Sequence, residues 1–350
     1  MIRTLLSLRR LLHAAGEHQK VEEAILCRFR NLLEARYQSP LKLSGNRLQY
    51  LQKNFFSSLF LSIYTALGIP PQRRHLYGQI NHCIRGLVTA CDNLLDDEYK
   101  ELLPFNFPEP AIRFNSVMHL LCLDRILEKI ARQAVLDGLL APHALEPLLD
   151  TIFQTMVPIG AEEAIEEGGI TEILAPKAVL DSVHMYKGGK LLCLAFTAPL
   201  FLEAERQAAL SLAETGIYRI GMALQVIDDL TDFYEDINHR NHNYLLSTVY
   251  HEGEAAEQQS LAAILRDKAL NGESIETLFP SSLQRVMAQA IGEALAGFAA
   301  LEKAGYWYKE KQAISLIRFL FTIRGVGHLL AFFPQPQHCL RLANQGDERR

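Results

Sequence analysis

Cysteine is scarce in this chain and shows no pairing pattern. Its 350 residues include six cysteines, Cys27, Cys83, Cys91, Cys122, Cys193 and Cys339, and no CxxC spacing. That excludes a disulfide framework. The cysteines read as small buried residues of helices in a reducing compartment, and a cytoplasmic location is expected. Positive charge is not in excess either. Forty acidic residues against 35 basic ones give a formal net charge of -5, which leaves no electrostatic footprint for nucleic acid. A phosphorylated substrate stays open, because metal ions can bridge two negative partners. Long apolar runs are missing as well. The stretch LLCLAFTAPLFL after Lys190 is short and contains Pro199, and LIRFLFTIRGVGHLLAFF is interrupted by Arg318, Arg324 and His328. Both read as buried helices, and no transmembrane span is expected. Strand-type alternation and glycine-rich strand-to-helix loops are nearly absent, as are short repeats and low-complexity linkers.

What is present is helical. Apolar residues recur at three- and four-residue spacing, which predicts helices at about 18–37, 46–68, 72–98, 110–136, 142–157, 176–198, 203–236, 255–269, 281–304 and 310–332. Gly68-Ile69-Pro70-Pro71, the loop from Pro104 to Pro110, Pro158-Ile159-Gly160 and Glu167-Gly168-Gly169 supply the breaks. One all-α domain over 1–350 is the expectation. Residues 1–17, acid-free as far as Glu17, form an extra N-terminal helix of amphipathic surface type, with a transit peptide or a peripheral membrane contact as the alternatives. The segment 335–350 is a polar tail.

Two acidic segments break the apolar stripes. In LVTACDNLLDDEYK, Asp92 and Asp96 stand four apart, which places them on one helical face one turn apart. Like charges at that spacing, near a helix C-terminus that also disfavours acids, call for a compensating cation. In GMALQVIDDLTDFYEDI, Asp228, Asp232 and Asp236 follow at intervals of four, Asp229 lies beside the first, and the preceding run is strongly apolar. Carboxylate oxygens are hard donors that suit Mg²⁺, which takes its remaining ligands from water and phosphate. Two such helices in an all-α chain can project acids inward from facing sides of a bundle and hold a diphosphate through metal.

With these motifs the chain resembles the trans-prenyl diphosphate synthases (polyprenyl synthetases) of the class I isoprenoid synthase superfamily, as a divergent member. Asp228-Asp229-Leu230-Thr231-Asp232 matches the family's DDxxD, preceded by the fitting Gln225, and Asp92-Asn93-Leu94-Leu95-Asp96 is the other motif with asparagine in second place. HMYKGGKLLCLAF resembles the lysine-bearing helix, with Lys187 and Lys190 as diphosphate-binding candidates, and Lys53 stands for the lysine of the GKR segment. The resemblance implies one large helical bundle, several Mg²⁺ ions on Asp92, Asp96, Asp228 and Asp232, and a catalytic set of these with Asp229 and Lys187. It also implies a homodimer and a prenyl diphosphate substrate held by Lys53, Lys187, Lys190, Gln225, Arg240 and Arg113.

The departures bear on the reaction. Asn54 and Phe56 stand where arginines are usual, the loop beyond the first motif offers only Arg113, and Arg240 is the nearest base after the second. The expected activity is Mg²⁺-dependent ionisation of an allylic diphosphate with prenyl transfer to isopentenyl diphosphate, the metal and basic groups stabilising the departing charge. A terpene synthase releasing diphosphate is the alternative that the missing arginines favour. A non-catalytic regulatory subunit of a prenyl synthase is a third. Phe55, Phe56, Phe60 and Tyr64 are either pocket aromatics facing a cation or ordinary core.

Overall fold

The periodic apolar spacing folds into helices throughout the computed structural model, which describes residues 2–40, 46–95, 99–108, 111–267, 272–323 and 325–333. In chain order they are α1 (Ile2–Arg30), α2 (Arg47–Lys53), α3 (Phe55–Ala66), α4 (Pro71–Leu95), α5 (Ile112–Leu136), α6 (Leu145–Ile165), α7 (Pro176–Val179), α8 (Leu191–Cys193), α9 (Thr197–Leu202), α10 (Gln207–Thr231), α11 (Phe233–His239), α12 (Tyr244–Glu252), α13 (Ala255–Asp267), α14 (Ile275–Leu278), α15 (Pro280–Lys303) and α16 (Glu310–Ile323). A π-helix, Leu180–Lys190, joins α7 to α8. Among the described residues no strand forms, and a single antiparallel bridge pairs Gln38 with Phe105. The expected all-α class is what the chain adopts.

Two compact units divide the chain: Met1–Met156 with Leu194–Leu210 and Gly305–Trp307, and Val157–Cys193 with Ser211–Ala304 and Tyr308–Arg350. In the first, α1 carries a buried stripe of Leu11, Ala14, His18, Val21, Ile25 and Phe29. Val21, Ile25 and Phe29 are fully enclosed, each stabilising the unit by roughly 1.5–3 kcal/mol. α1 is therefore amphipathic, with this stripe in the core of the unit and Arg9, Arg10, His13 and Lys20 exposed. It also runs on unbroken from Ile2 to Arg30, where a helix over 18–37 was expected. Glu203, 3% exposed, ties the segment after α9 to α4, accepting from Arg73 Nη1 and Arg206 Nη1 at 3.0 Å and from the Tyr77 hydroxyl at 2.8 Å. Two guanidinium groups offset the cost of burying that carboxylate.

In the second unit, α10 approaches the π-helix so closely that a Cβ on Gly188 would lie 2.6 Å from the Gly221 carbonyl oxygen. Only glycine permits this contact. The N-terminus of α15 is held by Glu257 of α13, which accepts from the backbone N–H groups of Ser281 and Ser282 and from the Ser282 hydroxyl.

Several boundaries differ from the sequence expectation for local reasons. The helix expected over 46–68 divides at Asn54, and that expected over 203–236 divides at Asp232. α6 continues to Ile165 through Pro158. The proline is solvent-exposed, so the carbonyl it leaves unpaired can turn to water. α12 was not anticipated; Asn243 caps it by accepting from the Leu246 N–H. Cys83, Cys122 and Cys193 are buried as expected, whereas Cys27 and Cys91 are exposed. Cys339 and the tail 335–350 lie outside the described residues. Among the described residues no helix is long and apolar enough to cross a membrane.

Candidate functional site

The second acidic motif emerges where α10 leaves the core of its unit. Leu224, Val226, Ile227 and Leu230 are buried around it, Asp228 is half-buried, and Asp232 is exposed at the kink before α11. One turn separates Asp228 from Asp232, whose backbone N–H donates to the Asp228 carbonyl at 2.9 Å. Asp229 turns the other way and is 3% exposed. Its Oδ2 accepts from His184 Nε2 at 2.9 Å and from the Tyr244 N–H at 2.5 Å, and its Oδ1 accepts from Gln225 Nε2 at 3.3 Å. Asp229 is thus an internal strut that fixes the end of α10, the π-helix and the start of α12 against one another. Behind it, Asn243 donates to the Asp229 carbonyl and to Asp236 Oδ2. Burial, and then the charge of Asp229, push the Asp236 carboxyl up to about 8.

Lys187 and His184 both stand on the π-helix, a rare form that recurs at functional sites. Lys187 is enclosed by Glu163 Oε2 of α6 at 3.1 Å and by Glu166 Oε2, in the turn just after α6, at 2.6 Å. Burial works against its charge, but the two carboxylates outweigh that and raise its pKa. The other oxygen of Glu166 accepts from the His242 N–H at 3.2 Å, next to the Asn243 cap. Lys190 is exposed and lies 5.9 Å from the Tyr218 ring centroid. Arg240 ends α11 in the left-handed region at φ 61° and accepts from the Ile170 N–H through its carbonyl at 2.7 Å. Of the residues expected from sequence, this unit brings together Gln225 and Asp229, with Asp228 and Asp232 one turn apart beside them. Glu163, Glu166, His184 and Asn243 were missed. The histidine stands three residues before Lys187 in the same segment, but its partner Asp229 lies 45 residues on.

In the first unit, Asp92 is half-buried near the end of α4, while Asp96, with Asp97 and Glu98, lies outside the described residues. Asn93 is 2% exposed and its amide holds Lys100, donating to the carbonyl and accepting from the N–H, each at 3.0 Å. Lys53 and Arg113 are exposed at the end of α2 and the start of α5. The aromatics of α3 resolve towards core. Phe55, Phe60 and Tyr64 are buried, Phe60 and Tyr64 pack edge-on to Phe196, and the Tyr64 hydroxyl donates to the Ala195 carbonyl at 2.5 Å. A cleft of about 490 Å³ in this unit opens between α1, α3 and α4 beside Lys20, Val21, Leu61 and His75. The acidic motifs take no part in it.

Known structures with this architecture can now be set beside it. The geranylgeranyl pyrophosphate synthetase of Pyrococcus horikoshii superposes with a TM-score of 0.60 at 15% identity, covering 90% of this chain and 98% of its own. The fold is that of the polyprenyl diphosphate synthases. A polyprenyl synthase of Roseobacter denitrificans (TM-score 0.56, 14% identity, 91% and 99% covered) and a polyprenyl synthetase of Streptomyces coelicolor (0.52, 15%, 95% and 97%) agree. Neither a protein-family model nor a curated protein matches the sequence. At such identities the likeness establishes the class I isoprenoid synthase fold, and the chemistry must be argued from the residues.

Proposed function

We propose that this chain binds an allylic prenyl diphosphate through Mg²⁺ and ionises it, transferring the prenyl group to isopentenyl diphosphate. The observation that carries the reading is the end of α10. There Asp228, half-buried, and Asp232, exposed, stand one turn apart, while Asp229 is locked inward by His184, Gln225 and Tyr244. Two carboxylates one turn apart are hard oxygen donors, the class that Mg²⁺ takes. Asp228 and Asp232 are assigned as metal ligands, and Asp92 and Asp96 as the second pair. Bound there, the metal would neutralise charge on the leaving diphosphate. Lys53, Lys187, Lys190, Gln225, Arg113 and Arg240 are the candidates for gripping phosphate oxygens. The protein is further proposed to work as a homodimer, because Phe114, Val117 and Leu121 leave one face of α5 exposed at 51%, 40% and 60%.

A second reading draws on specific observations. The arginines expected at residues 54 and 56 are absent, and Lys187 is already neutralised by Glu163 and Glu166. A weak grip on a second diphosphate favours a terpene synthase, in which the substrate's own double bond or water captures the cation. A catalytically silent partner of a synthase is the remaining alternative.

Incubating the purified protein with Mg²⁺ and allylic diphosphates of several lengths, with and without isopentenyl diphosphate, separates these readings. Lengthened diphosphates are the expected product. Hydrocarbons or alcohols formed without isopentenyl diphosphate would move the assignment to the synthase that cyclises or hydrolyses. No diphosphate release from any substrate would overturn both enzymatic readings.

A further inference from the structure

Away from both acidic motifs, four polar side chains meet inside the first unit. His18 interrupts the apolar stripe of α1 and is 1% exposed, and Glu22 follows one turn later. Tyr50 comes from α2 and His82 from α4. The Tyr50 hydroxyl donates to Glu22 Oε2 at 2.6 Å and meets His18 Nδ1 at 2.6 Å. A phenol has one proton to give, and a carboxylate can only accept it. The His18 contact must therefore run the other way, with Nδ1–H donating to the phenol oxygen. This fixes the tautomer and leaves the His18 Nε2 lone pair bare.

That nitrogen is buried and has no hydrogen-bond partner among the described residues, and the same holds for His82 Nδ1. Orphaned buried polar atoms are uncommon in native structures and need a cause. One ligand atom from each of His18, Glu22 and His82 can be chosen so that all lie within 4.8 Å of one another. The neutral ring is the form in which imidazole binds metal. Arg85 is the opposing cation, but its guanidinium donates to Asn54 Oδ1 and Ser57 Oγ, and Glu22 supplies a balancing negative charge.

We propose that His18 Nε2, His82 and Glu22 form a zinc site that ties α1 to α4. Two imidazoles and one carboxylate make a borderline donor set suited to Zn²⁺ with water in the fourth position, and unlike the all-oxygen sets that Mg²⁺ prefers. The hydrogen-bonded run from His18 Nδ1–H through Tyr50 to Glu22 is an outer shell of the kind that orients a metal-binding histidine. The site is independent of the acidic motifs and of the reaction assigned to them.

The test uses the full chain, stripped with a chelator and titrated with Co²⁺ in millimolar Mg²⁺, which occupies all-carboxylate sites. The expected result is an intense visible absorption of four-coordinate Co²⁺ saturating at about one ion per chain, displaced by Zn²⁺, with no near-ultraviolet thiolate band. His82→Asn and Glu22→Gln should each weaken binding by at least about tenfold, and Tyr50→Phe should weaken it by about tenfold while leaving all three ligands in place. Zn²⁺ should also raise the Tm of the wild type and not that of His82→Asn. Should His82→Asn fail to fold by circular dichroism, Glu22→Gln and Tyr50→Phe carry the comparison. The proposal is overturned by any of three results: no such absorption in the wild type, a thiolate band placing the ion on cysteine, or binding unchanged in the folded variants.

Discussion

The side-chain amide of Asn93 grips the backbone of Lys100 from both sides, donating to its carbonyl and accepting from its N–H, each at 3.0 Å. This is the position at which the first acidic motif carries asparagine in place of a second aspartate. An ionised carboxylate can accept but cannot donate, so aspartate could make only half of this clamp. The departure from the DDxxD pattern has a structural cause: the amide fastens the chain beyond α4.

Asn93→Asp restores the motif's letters and should destabilise the protein. The residue is 2% exposed, and turning a carboxylate towards the Lys100 carbonyl should cost about 1–3 kcal/mol. Urea unfolding would register the loss, and Mg²⁺-dependent turnover should not rise. A stable Asn93→Asp protein with higher turnover would mean that the amide is a dispensable substitute for a ligand.

Lys187 yields a prediction about charge. Its side chain is 14% exposed and that of Glu166 is 8% exposed. Lys187→Met would strand two carboxylates and should cost about 3 kcal/mol. The pairing raises the lysine's folded pKa above its ordinary 10.5. Its contribution is therefore complete below the unfolded value and is lost as pH rises through the folded one. The double substitution Glu163→Gln, Glu166→Gln releases the ammonium and should tighten binding of inorganic diphosphate several-fold, as measured by calorimetry. Unchanged affinity would remove Lys187 from the diphosphate site.

These two residues also mark what could be read in the sequence. The four-residue spacing of Asp228 and Asp232 is a local property of the chain at the end of α10, so it could be read directly. The helical class followed from periodicity in the same way. The Lys187–Glu166 pair spans 21 residues and the Asn93 clamp depends on a loop conformation, so neither has a local signature. Helix breaks at Asn54 and Asp232 were invisible because the apolar spacing continues through them, and α6 passes Pro158 only because that ring faces solvent.

The metal assignment separates two kinds of aspartate. Asp228→Ala and Asp92→Ala should each lower Mg²⁺-dependent turnover by orders of magnitude with the circular dichroism spectrum intact. Asp229→Ala should act differently. It leaves His184, Gln225 and the Tyr244 N–H without their common acceptor, and should cost about 3 kcal/mol or more of stability. Near-normal turnover in both Asp228→Ala and Asp92→Ala would mean that these residues are not metal ligands.

Backbone contact between the π-helix and α10 makes a steric prediction. A methyl group at Gly188 would meet the Gly221 carbonyl at 2.6 Å and the Gln225 Cβ at 2.9 Å. Neither helix can retreat without pulling His184 from Asp229. Gly188→Ala should lower stability by about 2–3 kcal/mol, measurable as a fall in Tm. Gly16→Ala, where an added Cβ meets nothing within 4 Å, is the control and should leave Tm unchanged or slightly raised.

Glu257 shows how acid should act on the second unit. Burial pushes its carboxyl up, but the hydrogen bonds from Ser282, Ser281 and Glu254 outweigh it and hold the pKa below the ordinary 4.5. A carboxyl with a depressed folded pKa contributes stability above its unfolded value and loses it as pH falls through the folded one. Its position before α15 also sets the negative charge against the helix N-terminus. Glu257→Gln keeps an acceptor and removes the charge, so it should cost about 1–2 kcal/mol at neutral pH. The gap between variant and wild type should narrow below pH 4.5, as protonation makes the native side chain neutral as well. Unfolding free energies measured from pH 7 to pH 3 would trace that convergence, and parallel curves would show that the cap owes nothing to charge.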